Sequence, residues 1–517
     1  MADFGFWNLA QKDPGALALV TPSEDRLSAG ALLARANRVV HGLRALGLGK
    51  GDVVATVLPN SVEMIETYLA ALQAGYYLVP INHHLTASET AYILQDSGAK
   101  AFIGAERFAE TCAGAASEVG FPERARFALG RIPGFRAWDE LTAGQPDTLP
   151  ANRAAGQVMN YTSGTTGRPK GVRRPLASLD PDEFASMFSM LLFLFNLQPK
   201  DGNVHLVGSP LYHTAVLMFA GCSLHMGHAV VLMDKWLPER HLQLIEKYRV
   251  TTSHMVPTQF HRLLALPDDV RGRYDLSSMR AMIHAAAPCP IDIKRRMLEW
   301  WGPVVWEYYA ASEGGGTVVS PGEWLAKPGT VGKAWPMSEI KILDEQGNEL
   351  PAGEIGTVYM ALGGGQDFEY HGDKQKTEAN RRGRFFTVGD VGYLDADGFL
   401  FLRDRKIDMI ISGGANIYPA EIEAVLLTHP KVGDAAVFGI PDDDWGEQVK
   451  AVIEPAPGVE PGPALADEII VFCRDKLAKY KCPKSIDFVE TLPRDPNGKL
   501  YKRKLRDPYW AGYQRAI

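Results

Sequence analysis

Apolar and polar positions near the N-terminus follow a strand-helix-strand rhythm. Residues 52 to 58 form a short apolar run rich in β-branched side chains, which is typical of a buried strand. Apolar residues then recur at helical spacing from 64 to 72, where Asn60 begins a capping-box pattern and Gly75 can end the helix. Residues 76 to 81 return to a strand pattern. This rhythm predicts an α/β core around a buried sheet.

The last hundred or so residues have a pattern of their own. Strands are predicted at 435 to 440 and 449 to 454, and a helix with one apolar stripe is predicted from Leu465 to Leu477. A proline- and glycine-rich stretch between Glu454 and Pro463 suits a surface loop. These features indicate a separate small unit.

Composition narrows the class of protein. A chain of 517 residues exceeds the size of one core, so at least two domains are expected. A net charge of -7 gives no reason to expect a nucleic-acid partner. The five cysteines are scattered, without a C-x-x-C pair, which favours a reducing cytoplasm. We see no secretory signal, and the most apolar run, 190 to 195, is far below the roughly 20 residues of a membrane span.

The most informative segment is the loop from Tyr161 to Gly171. It combines hydroxyls, glycines and two cations, so backbone N–H groups, side-chain donors and the Lys170 charge can surround phosphates. It is not a Walker A loop, because Gly171 follows the lysine where Ser or Thr is needed. An isolated run of this composition is more often a solvated turn.

The whole string resembles the phosphate loop of the superfamily that unites acyl-CoA synthetases, luciferases and nonribosomal-peptide adenylation domains. Other motifs of that superfamily follow in order from Leu27 to Arg506, and the chain is similar to the acyl-CoA synthetase branch. The resemblance implies an α/β fold: a large N-terminal domain of stacked β-sheets and helices at 1–404, and a small mobile α+β domain at 405–517. It also implies ATP, Mg²⁺ and coenzyme A as ligands, and leaves a homodimer open.

The resemblance assigns nucleotide-binding roles by position. Hydroxyls and glycines of the loop would bind phosphate, a backbone strip and a tyrosine would hold adenine, and an aspartate with an arginine would hold the ribose. The implied ATP and AMP residues are Thr162, Ser163, Gly164, Thr165, Thr166, Gly167, Lys170, Ala286, Ala287, Pro288, Glu307, Tyr308, Tyr309, Ser312, Asp390 and Arg405.

Four residues are implied in catalysis. Lys499 would bridge the substrate carboxylate and the α-phosphate, offsetting the repulsion of two anions. Glu313 would hold magnesium beside the phosphate loop, where Thr166 acts. His213 would wall the acyl pocket, between the acid and the path of the thiol. Taken alone, His213 is more often a hydrogen-bonded core histidine, and Lys499 is more often a solvated charge of the tail.

Thioester formation implies a second set of residues on the small domain. Gly413 and Gly414 would line the channel for the pantetheine of coenzyme A. They and Lys499 cannot occupy the site together, so rotation about a hinge near 405–408 is expected. The hinge position carries Ile407, where relatives have Asp or Lys; a misalignment by one residue would make Asp408 the hinge. Such a stiff apolar residue predicts an altered balance between the poses.

The same residues are compatible with other functions to different degrees. An amino-acid adenylation domain is disfavoured because no aspartate follows His213 to pair an ammonium group, whereas a luciferase-like oxygenase and a silent acyl- or nucleotide-binding protein stay open. A zinc site at His225 and His228 lacks a third ligand.

Apolar residues around a predicted pocket favour a fatty, aromatic or polycyclic acid as the substrate. These residues are Met187, Phe188, Leu191, Leu192, Phe195, Val216, Met218 and Tyr308 to Ala310.

Overall fold

The computed structural model of the chain describes residues 4–162, 169–311, 313–363, 368–494, 500–511 and 513. The predicted strand-helix-strand unit is present as Val53–Val57, Val62–Ala74 and Tyr77–Pro80. The helix ends at Gly75 in the left-handed conformation, as expected. The capping prediction was wrong, because Ser61 rather than Asn60 is the N-cap and accepts a hydrogen bond from the backbone N–H of Met64.

Two largely parallel sheets form the centre of the large domain. The first is fully parallel in its pairing, and its strands are fully buried at the centre because helices cover both faces. In spatial order its described strands are Arg136–Ala137, Arg126–Leu129, Ala99–Ala105, Val53–Val57, Tyr77–Pro80 and Gln157–Val158.

The second sheet is parallel at its centre and antiparallel at both edges. It packs on one side against a core shared with the first sheet, and on the other side against a second core. In spatial order its described strands are Lys333–Ala334, Gly316–Val319, Val305–Ala310, Ala281–His284, Thr252–Met255, Val204–Val207, Ala229–Leu232, Leu17–Val20 and Arg26–Ser28.

Two antiparallel sheets adjoin the parallel pair. The smaller one consists of Glu369–Tyr370, Lys170–Arg173 and Asn160–Thr162, so it carries both flanks of the Gly/Ser/Thr loop. The larger one contains Arg381–Arg382, Phe385–Phe386, Gly356–Leu362, Asp390–Leu394 and Leu400–Arg405, with Ser338–Leu343 paired to Gly356–Leu362. One apolar cluster joins the two sheets.

The last part of the chain has its own sheet and core, as predicted. Its strands are Ala415–Ile417, Ile410–Ser412, Gly446–Pro455 and Val432–Asp442, with Ser485–Phe488 parallel to Gly446–Pro455. The predicted helix is present as Pro463–Arg474 and buries Leu465, Ile469 and Cys473.

The helices cover the sheets on both faces. Within the described ranges, every helix is too short or too polar to span a lipid bilayer. The α-helices are Phe6–Lys12, Ala29–Ala45, Val62–Ala74, Ala87–Ser97, Ala109–Glu118, Trp138–Thr142, Pro181–Ser189, Thr214–His225, Pro238–Tyr248, Pro257–Leu264, Asp268–Arg271, Ile291–Trp301, Pro321–Ala326, Lys374–Ala379, Pro419–Leu426, Pro463–Arg474 and Lys502–Arg506. Short 3₁₀ helices are Glu106–Phe108, Glu123–Ala125, Met190–Phe195, Lys479–Lys481 and Asp507–Trp510.

Candidate nucleotide and acyl site

The carboxyl ends of the two parallel sheets meet, and Asn60 fastens them together. Its buried amide donates to the carbonyls of Ser209 and Met233 at 3.0 and 2.9 Å, and its Oδ1 accepts from the N–H of Leu211 at 2.8 Å. A buried amide with its hydrogen bonds satisfied fixes the spacing of the strand ends. Ligands of α/β proteins bind in the crevice outside such ends.

The flanks of the phosphate loop lie beside this crevice. Thr162 and Lys170 are paired neighbours of an antiparallel ladder, so the chain turns back on itself between them. The Lys170 ammonium lies 3.4 Å from a carboxylate oxygen of Asp373. The loop residues between them, Ser163, Gly164, Thr165, Thr166 and Gly167, lie outside the described residues.

Glu313 lies beside the strand that follows the phosphate loop. Its buried carboxylate accepts a 2.7 Å hydrogen bond from the hydroxyl of Tyr370, whose strand pairs with Lys170–Arg173. The guanidinium of Arg174 is close enough for Glu313 to favour its charged form, although burial lowers the Arg174 pKa. A carboxylate carries about four acceptor positions, so one bond from Tyr370 leaves capacity for a cation.

Asp390 and Arg405 are brought together as the resemblance implies. Their strands pair, and the Nε of Arg405 lies 3.4 Å from Oδ1 of Asp390. The hydroxyl of Tyr309 donates to the other carboxylate oxygen at 2.6 Å. Burial and this carboxylate raise the pKa of Tyr309 well above its usual range, so the hydroxyl stays a donor. The hydrogen bond therefore couples the position of Tyr309 to that of Asp390, the predicted ribose acid.

Glu307 and Tyr308 are both buried, and as neighbours on one strand they point to opposite faces of the sheet. The Glu307 carboxylate is buried and accepts from the Lys294 ammonium at 2.6 Å, and His284 lies 3.4 Å away. Burial raises the pKa of Glu307, whereas Lys294 lowers it. The hydroxyl of Tyr308 meets the Nε2 of buried His254 at 3.2 Å. The structure thus places both side chains among buried partners, and their contact with nucleotide stays a prediction.

The predicted adenine strip leaves the carboxyl end of the strand Ala281–His284. Ala286 has a φ of 72°, a left-handed conformation that costs an alanine of order 1–3 kcal/mol. The side chains of Ala286 and Pro288 are exposed, whereas Ala285 is buried. Strained, exposed backbone at a strand end is typical of ligand sites. Ser312, on the far side of Tyr309, lies outside the described residues.

Aromatic side chains form an apolar cluster below the strip. The ring of Phe195 lies 5.5 Å from that of Phe219 and 6.0 Å from that of Tyr308, centroid to centroid. Leu192 is buried in the same cluster, and Met218 packs against it. Other residues of the sequence-based list lie elsewhere: Val216 is buried in the core between the sheets, and Met187 and Phe188 are each 45 % exposed.

His213 follows the strand Val204–Val207 and stands at the N-cap of the helix Thr214–His225. Its ring lies 4.1 Å from the ring of Tyr212, which in turn meets the ring of His83 edge-on at 4.8 Å. Burial lowers the pKa of His83 to about 4, so that imidazole is neutral at pH 7. His213 therefore lies at the crevice edge among aromatic rings.

The predicted hinge and the predicted loop for the thiol follow Arg405 along the chain. Residues 405 to 408 form a turn in which the N–H of Asp408 donates to the Arg405 carbonyl at 3.0 Å, and Ile407 is 41 % exposed. Gly413 and Gly414 have φ angles of 57° and 80°. A Cβ on Gly413 would lie 2.3 Å from the ring of Trp445, so only glycine fits there. Lys499 lies outside the described residues.

A metal site at His225 and His228 is not formed. His225 accepts from the backbone N–H of Phe6, and His228 lies 2.8 Å from the Gln198 carbonyl. The described part of the chain contains no group of three or more His, Cys, Asp or Glu side chains placed to hold a metal ion.

Three residues of the site were missed from the sequence: Tyr370, Arg174 and Asn60. Tyr370 is 57 positions from Glu313, and Asn60 is more than 140 positions from its partners. No local pattern connects residues that far apart, since only the tertiary fold makes them neighbours.

Comparison with known proteins identifies the family of the chain and its structural relatives. The family model "AMP-binding enzyme" matches residues 6–364, and "AMP-binding enzyme C-terminal domain" matches 421–499. A feruloyl-CoA synthase from Amycolatopsis sp is 35% identical over 97% of this chain and 98% of its own. The fatty acid–[acyl-carrier-protein] ligase ScoC of Streptomyces coeruleorubidus is 32% identical over 93% and 91%. ATP-bound MatB from Rhodopseudomonas palustris superimposes with a TM-score of 0.81, at 31% identity over 99% and 100%.

The chain therefore belongs to the AMP-binding enzyme family and, within it, is an AMP-forming acid–thiol ligase of the acyl-CoA synthetase branch. The expected large α/β domain with a small C-terminal domain is confirmed.

Proposed function

We propose that the protein uses ATP to join a bulky hydrophobic carboxylic acid to the thiol of coenzyme A, through an acyl-AMP. The observation that carries the proposal is the junction at Tyr309 to Glu313. Tyr309 reaches the ribose acid Asp390, and four residues later Glu313 reaches the phosphate-loop sheet through Tyr370. The two ends of one short segment thus contact the two groups to which we assign the ribose and the phosphates.

In the first half-reaction the acid's carboxylate oxygen attacks the α-phosphorus, and pyrophosphate leaves. We assign the diol of the ribose to Asp390 and Arg405, and the phosphates to the loop flanked by Thr162 and Lys170. Lys499 would balance the two anions as they approach.

A magnesium ion fits the donors present. Glu313 offers a hard carboxylate oxygen beside the phosphate-loop sheet, and Mg²⁺ commonly takes one or two carboxylates and fills its other positions with phosphate oxygens and water. When bound, the ion supplies charge neutralisation at the leaving phosphates.

The second half-reaction is assigned to the small domain. The thiol sulfur attacks the acyl carbonyl carbon and AMP leaves. After rotation about the turn at 405–408, Gly413 and Gly414 would line the channel through which the thiol reaches the acyl-AMP. We therefore place the domains at 1–404 and 405–517, with Ile407 at the hinge. The exposed side chain of Ile407 and the turn around it support this boundary.

The class of acid is inferred from the cluster below the strip. Phe195, Phe219 and Tyr308 pack together and are buried, so a pocket that opened beside them would have aromatic walls, and large apolar ligands bind sites lined mainly by such side chains. The two relatives described above are named for a feruloyl group and for fatty acids, so the fold alone does not fix the acid.

A carrier protein is the second candidate acceptor, because ScoC is a ligase for an acyl-carrier protein. Mass spectrometry of the product with coenzyme A, with a phosphopantetheinylated carrier protein and with neither decides between them.

Lys499→Ala tests the mechanism. We expect acyl-AMP formation to fall at least about a hundredfold, since charge stabilisation in such sites is worth about 3 kcal/mol or more. Thioester formation from supplied acyl-AMP should stay within about threefold of wild type.

A panel of acids tests the substrate class. Pyrophosphate exchange with acetate, octanoate, palmitate, ferulate and cholate measures the rate of the first step for each acid and ranks the acids.

Lys504→Ala, an exposed lysine near the end of the same tail, is the matched control and should leave both steps unchanged. Equal loss of both steps in Lys499→Ala would contradict the assignment. Acetate as the best acid would contradict the bulky-acid proposal.

A further inference from the structure

Lys502 lies three residues after Lys499 and is held in a largely buried cluster of carboxylates. Its ammonium lies 2.8 Å from an oxygen of Glu423, and the two side chains are 12 % and 18 % exposed. Asp404 and Asp408 lie within electrostatic range. One lysine in this part of the tail thus faces three acids.

Asp404 belongs to the large domain and contacts the small one. It lies on the strand Leu400–Arg405, which pairs with Asp390–Leu394. One carboxylate oxygen accepts a 2.9 Å hydrogen bond from the N–H of Ala420, in the first turn of the helix Pro419–Leu426. That helix has no cap from its own N-cap residue, Tyr418, so Asp404 caps it from across the turn.

Glu423, one helical turn later, is tied to the small domain. Its Oε1 accepts a 2.8 Å hydrogen bond from the backbone N–H of Val437, in the central hairpin of that domain. Lys502 therefore stands between a carboxylate fixed on the small domain and a carboxylate on the large one.

The three acids around Lys502 keep its ammonium charged. Burial alone would lower the pKa of Lys502, but Glu423, Asp404 and Asp408 raise it above its ordinary value, so the ammonium stays charged. Removing that charge would leave buried carboxylates without compensation. The contact between the domains would then weaken rather than rearrange.

The other flank of the Lys499 segment is also fixed. Arg494 donates to both oxygens of Asp434 at 2.5 and 2.8 Å, and its backbone bridges to Leu500. The neighbouring residue Gly433 and Asp434 itself face His261, on the helix Pro257–Leu264 of the large domain. In this pose the side of the small domain that carries the tail therefore faces the large domain.

We propose that Lys502 is a positioning residue for acyl-AMP formation: by pairing with Glu423 and attracting Asp404 across the hinge, it holds the small domain in the pose that delivers Lys499. Rotation about 405–408 would separate Asp404 from Ala420 and Lys502, because these contacts cross the rotating turn. The inference rests on the proposed function and on the role of Lys499 within it.

Lys502→Met removes the charge and keeps the length of the side chain. Acyl-AMP formation should fall at least tenfold, while thioester formation from supplied acyl-AMP stays within twofold. Lys502→Arg should recover adenylation to within threefold, and the exposed neighbour Lys504, changed in Lys504→Met, should leave both steps within twofold. Equal losses in both steps, or no loss, would overturn the proposal.

A second variant and a second readout keep the test independent of the acid. Asp404→Asn leaves the Lys502–Glu423 pair intact and weakens the contact that crosses the hinge, so the same split is expected even where Lys502→Met fails to fold. Trypsin cleavage after Arg405 and Lys406, which are 44 % and 49 % exposed, should be at least threefold faster in either variant. Unchanged cleavage in both variants would overturn the role of Lys502. If the wild-type enzyme adenylates no acid, the proposed function is wrong instead, and the cleavage rates still test the role of Lys502.

Discussion

Tyr309 combines a predicted contact with an observed one. The family resemblance predicts that its ring stacks on adenine, and in the structure its hydroxyl donates to Asp390 at 2.6 Å. The carboxylate is thereby oriented before nucleotide arrives. Orientation of this kind contributes to binding rather than to chemistry.

Tyr309→Phe separates these contributions. We expect the KM for ATP to rise about tenfold, equivalent to ~1.4 kcal/mol, which is typical of a hydrogen bond to a charged group. The kcat should change less than about twofold, because Asp390 keeps Arg405. Initial rates at varied ATP measure both constants.

Tyr393→Phe is the matched control, since Tyr393 lies on the same strand as Asp390 and stacks on Phe401 at 5.0 Å. A fall in kcat of Tyr309→Phe at unchanged KM would show that the hydroxyl acts in the chemical step.

Single residues were predicted well where the motif is local. Asp390 and Arg405 meet as expected because their strands are sequential neighbours in one antiparallel pair. Glu307, by contrast, lies in the same short motif as Tyr309 but faces Lys294 inside the core. Glu307 and Tyr309 are two positions apart on one strand and so share a face of the sheet, but different elements pack along that face, and a motif does not say which positions they cover.

At the scale of elements, a buried carboxylate joins two helices of the large domain. Glu66, on Val62–Ala74, is 1 % exposed and pairs with Arg35 on Ala29–Ala45. Burial raises the pKa of Glu66 from 4.5 to about 7, against the effect of Arg35. The packing of these helices should therefore depend on pH.

The sign follows from linkage. A folded-state pKa above the unfolded one gives stability that is complete below about pH 4.5 and is lost as pH rises through about 7. The difference corresponds to about 3 kcal/mol. Glu66→Gln cannot ionise and does not lose this stability. The difference between its free energy of unfolding and that of wild type should therefore shift in favour of the variant by about 2–3 kcal/mol between pH 5 and pH 8, so that the variant is relatively more stable at pH 8.

Urea unfolding of both proteins at the two pH values measures this difference. Glu110→Gln, an exposed helix position, should show no such change. A pH-independent effect of Glu66→Gln would mean that the carboxylate is already ionised in the fold at pH 5.

The same helix shows where local pattern misleads. Asn60 and Ser61 are both good N-cap residues, and the sequence does not choose between them. Ser61 caps the helix because Asn60 is used by strand ends of the neighbouring sheet. A tertiary hydrogen-bond network thus overrides a local capping signal.

At the scale of the whole molecule, the turn at 405–408 is the proposed hinge between the two domains. Ile407 is exposed there, although an apolar side chain gains nothing from water. Its β-branched side chain also restricts the backbone states open to the turn. Both effects change the free-energy difference between poses rather than the chemistry of either.

Ile407→Lys should therefore change the two half-reactions unequally. We expect the ratio of the acyl-AMP rate to the thioester rate to change at least about threefold, or ~0.7 kcal/mol in the pose equilibrium. Single-turnover measurement of each half-reaction gives the ratio. Ile355→Lys, an exposed apolar position away from the turn, should leave it unchanged. Unchanged rates of both steps would end the hinge hypothesis for residue 407 and favour Asp408.

The sequence by itself determined the class of fold, the two units and the order of the motifs, because strand and helix periods and glycine-rich loops are local properties of the chain. Only the tertiary structure decided that Tyr370 donates to Glu313, and that Lys502 pairs with Glu423 within electrostatic range of Asp404. Those facts depend on side chains tens to hundreds of residues apart meeting in a low-dielectric interior, where pairing and burial are settled by the packed whole.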